Sequence, residues 1–279
     1  MYLKVLEEIN SHSDSIYVVK DELKNIIPLH KHPQSHILVV LDGVAKIDID
    51  QTAYYIPNGF FVWIPSNVSH RVLFDSAKIT ILNIYYPQDK LVTKCTEEED
   101  FFSTIGVYLT PSLLFHTFEI FKNKSIGEVS QQWQIELLTT MKNILPHIIN
   151  SNINLRLPIS HNKTIQKIIK IIKREYRNNL TAKMLGEEVG MSVRTLDRYF
   201  AKELNTSFYQ YLKMYRMVEA IKLLVKKDVN IEEVAYNVGY QSTASFSNAF
   251  LKVTGFRPSN LLKDDMIESY NSTLARMIK

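Results

Sequence analysis

"TAKMLGEEVGMSVRTLDRYFAKE", residues 181–203, and "NIEEVAYNVGYQSTASFSNAFLK", residues 230–252, follow one plan. Each opens on a residue that caps a helix, Thr181 or Asn230, and runs into a short helix with one apolar face. Each helix stops at a glycine, Gly190 or Gly239, the residue that takes a left-handed turn without a steric cost. After a brief turn a serine, Ser192 or Ser242, stands ready to cap a second helix. In that second helix Leu196 and Phe200, or Phe246 and Phe250, lie four apart and predict an inward face.

The outward face is then Arg194, Asp197 and Arg198 in one copy. In the other it is Thr243, Ala244, Ser247 and Asn248. Helix, glycine turn and polar-faced helix make a helix-turn-helix, whose second helix enters the DNA major groove. One copy alone is also the pattern of an ordinary helical hairpin; two copies about 50 residues apart argue against that. The segment between them, "SFYQYLKMYRMVEAIKLLVKK", predicts a single rigid helix. Such a spacer sets two reading helices about 34 Å apart, one turn of DNA. Charge agrees with a polyanion partner for this half. Residues 1–160 carry 13 Lys+Arg against 17 Asp+Glu, net −4, and residues 161–279 carry 20 against 12, net +8.

"GMSVRTLDRYFAKELNTSFYQYLKMYRMVEA" with "VAYNVGYQSTASFSNAFLKVTGFRPS" resembles the DNA-binding domain of the AraC/XylS family of transcription regulators. The likeness covers about 100 residues, roughly 165–263, and includes the closing Gly255 and Pro258. The sequence departs from the family at Asn205, where a glycine is usual, and at Arg257, where a threonine is usual. The resemblance implies that Arg194, Thr195, Asp197 and Arg198 face the bases in the first motif. In the second it implies Thr243, Ala244, Ser247 and Asn248. Arg198 has the chemistry to pair bidentately with guanine, and Asn248 with adenine. Asp197 accepts from a cytosine amine or orients Arg194 or Arg198. The second face has small side chains and no cation, and is expected to add affinity more than specificity.

The first 86 residues have a different period. "SIYVV", "HILVVL", "VAKIDI", "AYYI", "FFVWI", "HRVLF" and "KITILNIYY" are short, β-branched and aromatic. Turn signals such as Asp42-Gly43 and Pro57-Asn58-Gly59 separate them. They predict an antiparallel barrel or jelly roll. The acidic run Glu97–Asp100 closes the region. From 101 to 150 "PSLLFHTFEIFKN" and "QWQIELLTTMKNIL" predict helices, and "PHIINSNINLRLPISHNK" predicts a linker. The fold class is therefore multi-domain. An N-terminal all-β region is followed by helices and by an all-α domain with two helix-turn-helix motifs. The expected boundaries are 1–100, a helical segment 101–150, a linker 151–163, the DNA-binding domain 164–265 and a tail 266–279.

"HKHPQSH", residues 30–36, spaces three histidines at i, i+2 and i+6, which an extended chain would aim one way. The β half resembles the cupin sensor domain that many AraC-type regulators carry. His30, His32, His36 and Gly43 stand at the places of its first motif, and Gly59, Pro65 and His70 at those of its second. The resemblance implies a metal site of His30, His32, His36 and His70. His36 replaces the usual carboxylate or glutamine. Four imidazoles suit zinc, nickel, copper or iron and argue against manganese. Histidines at a strand mouth also serve simply to hydrogen-bond a small ligand. His12, His116, His147 and His161 show no such spacing and read as surface or helix-packing residues. Trp63 and the tyrosines read as core.

No apolar run reaches the length that crosses a bilayer. The start of the chain does not read as a secretory signal, and the single Cys95 allows no internal disulfide. The expected location is the cytoplasm, with no membrane partner. The expected function is transcription control. A metal ion or small molecule bound at the cupin alters binding of double-stranded operator DNA by a homodimer paired through residues 101–150. A metal-dependent cupin enzyme fused to a DNA-binding half is the alternative, and a β half that only dimerises is a third reading.

Overall fold

The computed structural model describes residues 2–11, 13–23, 26–74, 79–87, 101–122, 127–149, 153, 155–226 and 229–262. Cys95, the acidic run 97–100, His12, residues 151, 152 and 154 of the linker and the tail 266–279 lie outside them. The described residues form two compact units. One comprises residues up to 153, and the other residues from 155 onwards with 51–54.

The first unit is built on antiparallel strands. β1 is Tyr17–Leu23, β2 Ile27–His30, β3 Ser35–Asp42, β4 Val44–Ile49, β5 Thr52–Pro57, β6 Phe60–Ile64, β7 His70–Phe74 and β8 Ile79–Tyr86. β9 (Gly106–Leu109) and β10 (Gly127–Glu128) come from the region expected to be wholly helical. One sheet has the order β10-β1-β8-β3-β6-β9. The other has the order β5-β4-β7-β2, and β11 (Arg156–Pro158), a short strand within the expected linker, pairs with residues 52–54 at the start of β5, which group with it in the second unit.

Strand β3 has no polar face because both of its sides are covered, which is why "HILVVL" runs apolar without alternating. Ile37 and Val39, with Phe61 and Trp63 of β6 and Leu82, Ile84 and Tyr86 of β8, make one face of the sheet. Two helices cover it, α2 (Ser112–Lys122) and α3 (Gln132–Ile148), through Leu114, Phe118, Phe121, Leu138, Met141 and Leu145. Two hydrogen bonds fix this layer. The Trp63 indole N–H donates to the Phe102 carbonyl (3.0 Å), and the Tyr86 hydroxyl donates to the Leu138 carbonyl (3.3 Å). On the opposite face Tyr17, Val19 and Tyr85 cluster with Ile9. Ile9 belongs to α1 (Tyr2–Ser11), a helix the sequence reading did not foresee.

The second unit is helical, and its caps are side chains legible in the sequence. In α4 (Lys163–Glu175) four isoleucines, 165, 168, 171 and 172, are buried, and Asn162 accepts from the N–H groups of Thr164 and Ile165. α5 is Ala182–Val189, α6 Val193–Leu204, α7 Phe208–Leu224, α8 Ile231–Asn237, α9 Thr243–Thr254 and α10 Ser259–Leu262. Helix α7, the spacer, begins with a full capping box between Ser207 and Gln210. Its 17 residues span about 25 Å at the helical rise. Leu196, Phe200, Phe246 and Phe250 are fully buried, as their spacing predicts. Burying each such phenylalanine contributes roughly 1.5–3 kcal/mol. Asn205 ends α6 at φ 47°, a left-handed conformation asparagine tolerates, so the missing glycine leaves the turn intact.

Candidate metal centre and nucleic-acid interface

The histidines arrive from separate strands of the barrel. His30 ends β2 and pairs across the ladder with His70, the first residue of β7. His36 lies on β3 in the other sheet, between Ile64 of β6 and Tyr85 of β8. Residues 31–34 between β2 and β3 are not strand, so the period-two argument from an extended "HKHPQSH" does not hold here. A turn at Pro33 and Gln34 does the work instead. It is tied to the β6–β7 loop by the Asn67 N–H, which donates to the His32 carbonyl (2.9 Å).

Three of the four imidazoles converge. His30, His32 and His70 each offer a ring nitrogen within 4.8 Å of the others. Each also turns its Nδ1 to a carbonyl two residues away: Pro28 for His30 (2.8 Å), Gln34 for His32 (2.8 Å) and Val68 for His70 (2.9 Å). Such a bond fixes Nδ1 as the N–H donor and leaves Nε2 as a lone-pair donor. The His32 Nε2 is buried with no hydrogen-bond partner. His36 is not among the three whose ligand atoms meet within 4.8 Å, although its ring packs as closely as theirs do, the His30–His32 and His32–His70 centroids being 5.9 and 5.3 Å apart. Its ring centroid is 4.9 Å from that of His32 and 5.3 Å from that of His70, and it stacks on Tyr85 at 4.9 Å and 26°. Its Nδ1 is buried and unpartnered.

Burial keeps the cluster neutral. It is the largest influence on all four groups and pushes His32 down to about 4 and His70 to about 3, from an ordinary 6.5. His30 is lowered and His36 lies well below its ordinary value, again through burial first. The charges that act on His32, His36 and His70 are those of other histidines in the cluster. Neutral imidazoles with oriented lone pairs and an unsatisfied buried Nε2 fit a divalent transition ion, which needs deprotonated nitrogen ligands. His116, His147 and His161 are exposed and apart from the cluster, and Trp63 is wholly buried core.

In the second unit the two copies of the device have matching ends. Gly190 closes α5 at φ 70°, and Gly239 follows α8 at φ 84°. The Ser192 hydroxyl accepts from the Thr195 N–H (3.2 Å), and the Ser242 hydroxyl from the Ser245 N–H (3.2 Å). These caps fix where α6 and α9 begin, and so which side chains lie on the first turn. Arg194, Asp197 and Arg198 are exposed on α6, while Thr195 is half-buried with its hydroxyl 2.9 Å from that of Ser192. On α9 Ala244 and Asn248 are exposed, and Thr243 and Ser247 are half-buried. Asp197 lines a groove with Thr181, Lys183, Val193, Ala201 and Tyr209. The sequence reading did not name Ser245, Gln241 or Lys252, which are also exposed along or just before α9.

Comparison with known proteins follows the same division. Residues 18–85 match the cupin domain family, and residues 185–264 match a helix-turn-helix domain family. Over 251 residues the chain is 25% identical to the HTH-type transcriptional regulator NimR of Escherichia coli, covering 88% of this chain and 85% of that one. It is 20% identical to the uncharacterized HTH-type transcriptional regulator YdeC of Bacillus subtilis, covering 88% and 89%. Among solved structures it is similar to the C-terminal domain of AraT, a response regulator from Geobacillus stearothermophilus. The identity there is 29%, over 36% of this chain and 84% of that one, with a TM-score of 0.35.

Proposed function

We infer that this chain, which joins a cupin domain to a helix-turn-helix domain of the AraC type, is a DNA-binding transcription regulator whose cupin senses a metal ion or small molecule. The observation that carries the regulator reading is the doubled unit of helix, left-handed glycine and serine-capped helix in a chain half of net charge +8. A helix capped at Ser192 presents Arg194 and Arg198 from its first turns, the part of a recognition helix that reads base edges. Arg198 pairs with guanine and Asn248 with adenine in this reading, and Thr195, Asp197, Thr243, Ala244 and Ser247 complete the two faces. Asp197 accepts from a cytosine amine or orients Arg194 or Arg198 in this reading.

The sensing half of the proposal rests on the convergence of His30, His32 and His70 with their Nδ1 atoms held by carbonyls. Those three residues would hold a zinc, nickel, iron or copper ion. When bound, the ion cross-links β2, the following turn and β7, and so stiffens one end of the barrel. Pairing of two copies through α2 and α3 is supported by the exposure of Leu113 (57%), Ile120 (45%) and Trp133 (50%) on those helices. No helix among the described residues is long and apolar enough to cross a membrane, in keeping with the cytoplasmic reading.

The test uses protein purified without a histidine tag. Metal analysis should find close to one ion per chain in the wild type and none in a His32→Ala/His70→Ala variant. Operator affinity, followed by fluorescence anisotropy, should change at least about fivefold when a chelator removes the ion. Absence of metal, with melting unchanged on adding zinc or nickel, would assign the cupin to an organic effector or to dimerisation alone.

A further inference from the structure

The histidine cluster holds no negative charge. His30, His32 and His70 bring their donor atoms within 4.8 Å, and among the described residues no carboxylate or thiolate joins them. His36, at the place where the cupin motif has a carboxylate, is an imidazole 1% exposed and stacked on Tyr85. His32 and His70 are equally enclosed, at 3% and 1% exposure. A divalent ion placed among neutral imidazoles would keep its whole charge against two buried histidines, with the half-buried His30 as its side nearest water, and a charge taken out of water persists only when it is compensated. Histidine ligands alone supply no compensation.

We propose that this site takes its ion together with a small carboxylate anion, which supplies the negative charge that His36 does not. His36 is then a positioning residue rather than a ligand. Its ring lies against both His32 and His70, and its buried, unpartnered Nδ1 is the hydrogen-bonding atom available to a carboxylate oxygen. The effector is in this case an anion read through the ion, and the ion binds at least tenfold less tightly without it. This inference rests on the metal reading above.

Cobalt(II) is the probe, because its visible absorption reports coordination directly. The full chain, free of tag, is titrated at pH 7.5 in a chloride-free, non-coordinating buffer, alone and with acetate or oxalate. In the wild type the anion should tighten cobalt binding at least tenfold and shift the visible band. In His36→Glu, which restores a carboxylate, cobalt should bind tightly without added anion and its spectrum should ignore acetate and oxalate. The wild-type arm decides the matter even if His36→Glu does not fold. Cobalt bound with the same affinity and spectrum in the presence and absence of anion would overturn the proposal and leave the metal reading intact. Absence of any cobalt spectrum in the wild type would overturn both.

Discussion

Arg198 and Asn248 occupy equivalent outward positions on α6 and α9, yet only one of them is charged. If Arg198 reads a guanine, Arg198→Ala should weaken operator binding by roughly 1–3 kcal/mol and relax the preference at a single base pair. Binding to random DNA should fall far less. Anisotropy measurements on a set of singly substituted operators would show this. An equal loss on every sequence would reduce Arg198 to a phosphate contact, and no loss would remove it from the interface.

At the scale of the element, two glycines with nearly the same backbone separate two costs. Gly190 sits at φ 70° with nothing within 4 Å of an added Cβ. Gly239 sits at φ 84°, and a Cβ there would lie 2.8 Å from the carbonyl oxygens of Tyr176 and Arg177. Gly190→Ala should therefore lose only the left-handed penalty, about 1–2 kcal/mol. Gly239→Ala should lose that and a backbone clash, well above 2 kcal/mol, because carbonyls cannot rotate away as side chains do. Urea unfolding of both variants checks the order, and equal losses would show that the α4–α5 turn yields. These two turns were legible in the sequence, since glycine, serine cap and paired aromatics act within a dozen residues of one another. The meeting of His30, His32 and His70 was signalled only by the cupin resemblance, which also included His36, since residues 31–34 are not extended. What escaped were features set by distant partners. Strand β9 forms because Gly106–Leu109 meets the open edge of β6. Helix α1 is anchored by the burial of Ile9 against Tyr17, Val19 and Tyr85. His36 stacks on Tyr85, 49 positions away along the chain.

For the whole molecule, the two units differ in what acid does to them. The unfolded chain takes up protons on its histidines near pH 6.5, whereas the folded one does so only near 4 at His32 and near 3 at His70. Between those limits the unfolded state binds more protons, so stability falls as the pH falls. Each of these histidines should remove on the order of 2 kcal/mol from the first unit between neutrality and pH 5. The second unit contains one histidine, His161, which is exposed. Melting of the metal-free chain at pH 7.5 and pH 5 should therefore move the transition of the β unit much more than that of the helical unit. A saturating divalent ion should raise the first transition at pH 7.5 and raise it much less at pH 5, as protons compete for the same nitrogens. A pH-independent first transition would mean that the cluster opens to water in solution.

Strand β8 places Tyr85 and Tyr86 on opposite sides of one sheet. Tyr85 leans on His32 and His36 inside the barrel, and Tyr86 packs against Trp63 and bonds to the Leu138 carbonyl of α3 outside it. The sheet is thus a wall one residue thick with a ring mounted on each surface. The two rings are carried by consecutive residues, about 3.3 Å apart along the strand, whose side chains point to opposite faces. If the cluster acts on the outer helices as proposed, neighbouring residues of one strand connect the two surfaces, with no need of a hinge or a long relay of side chains.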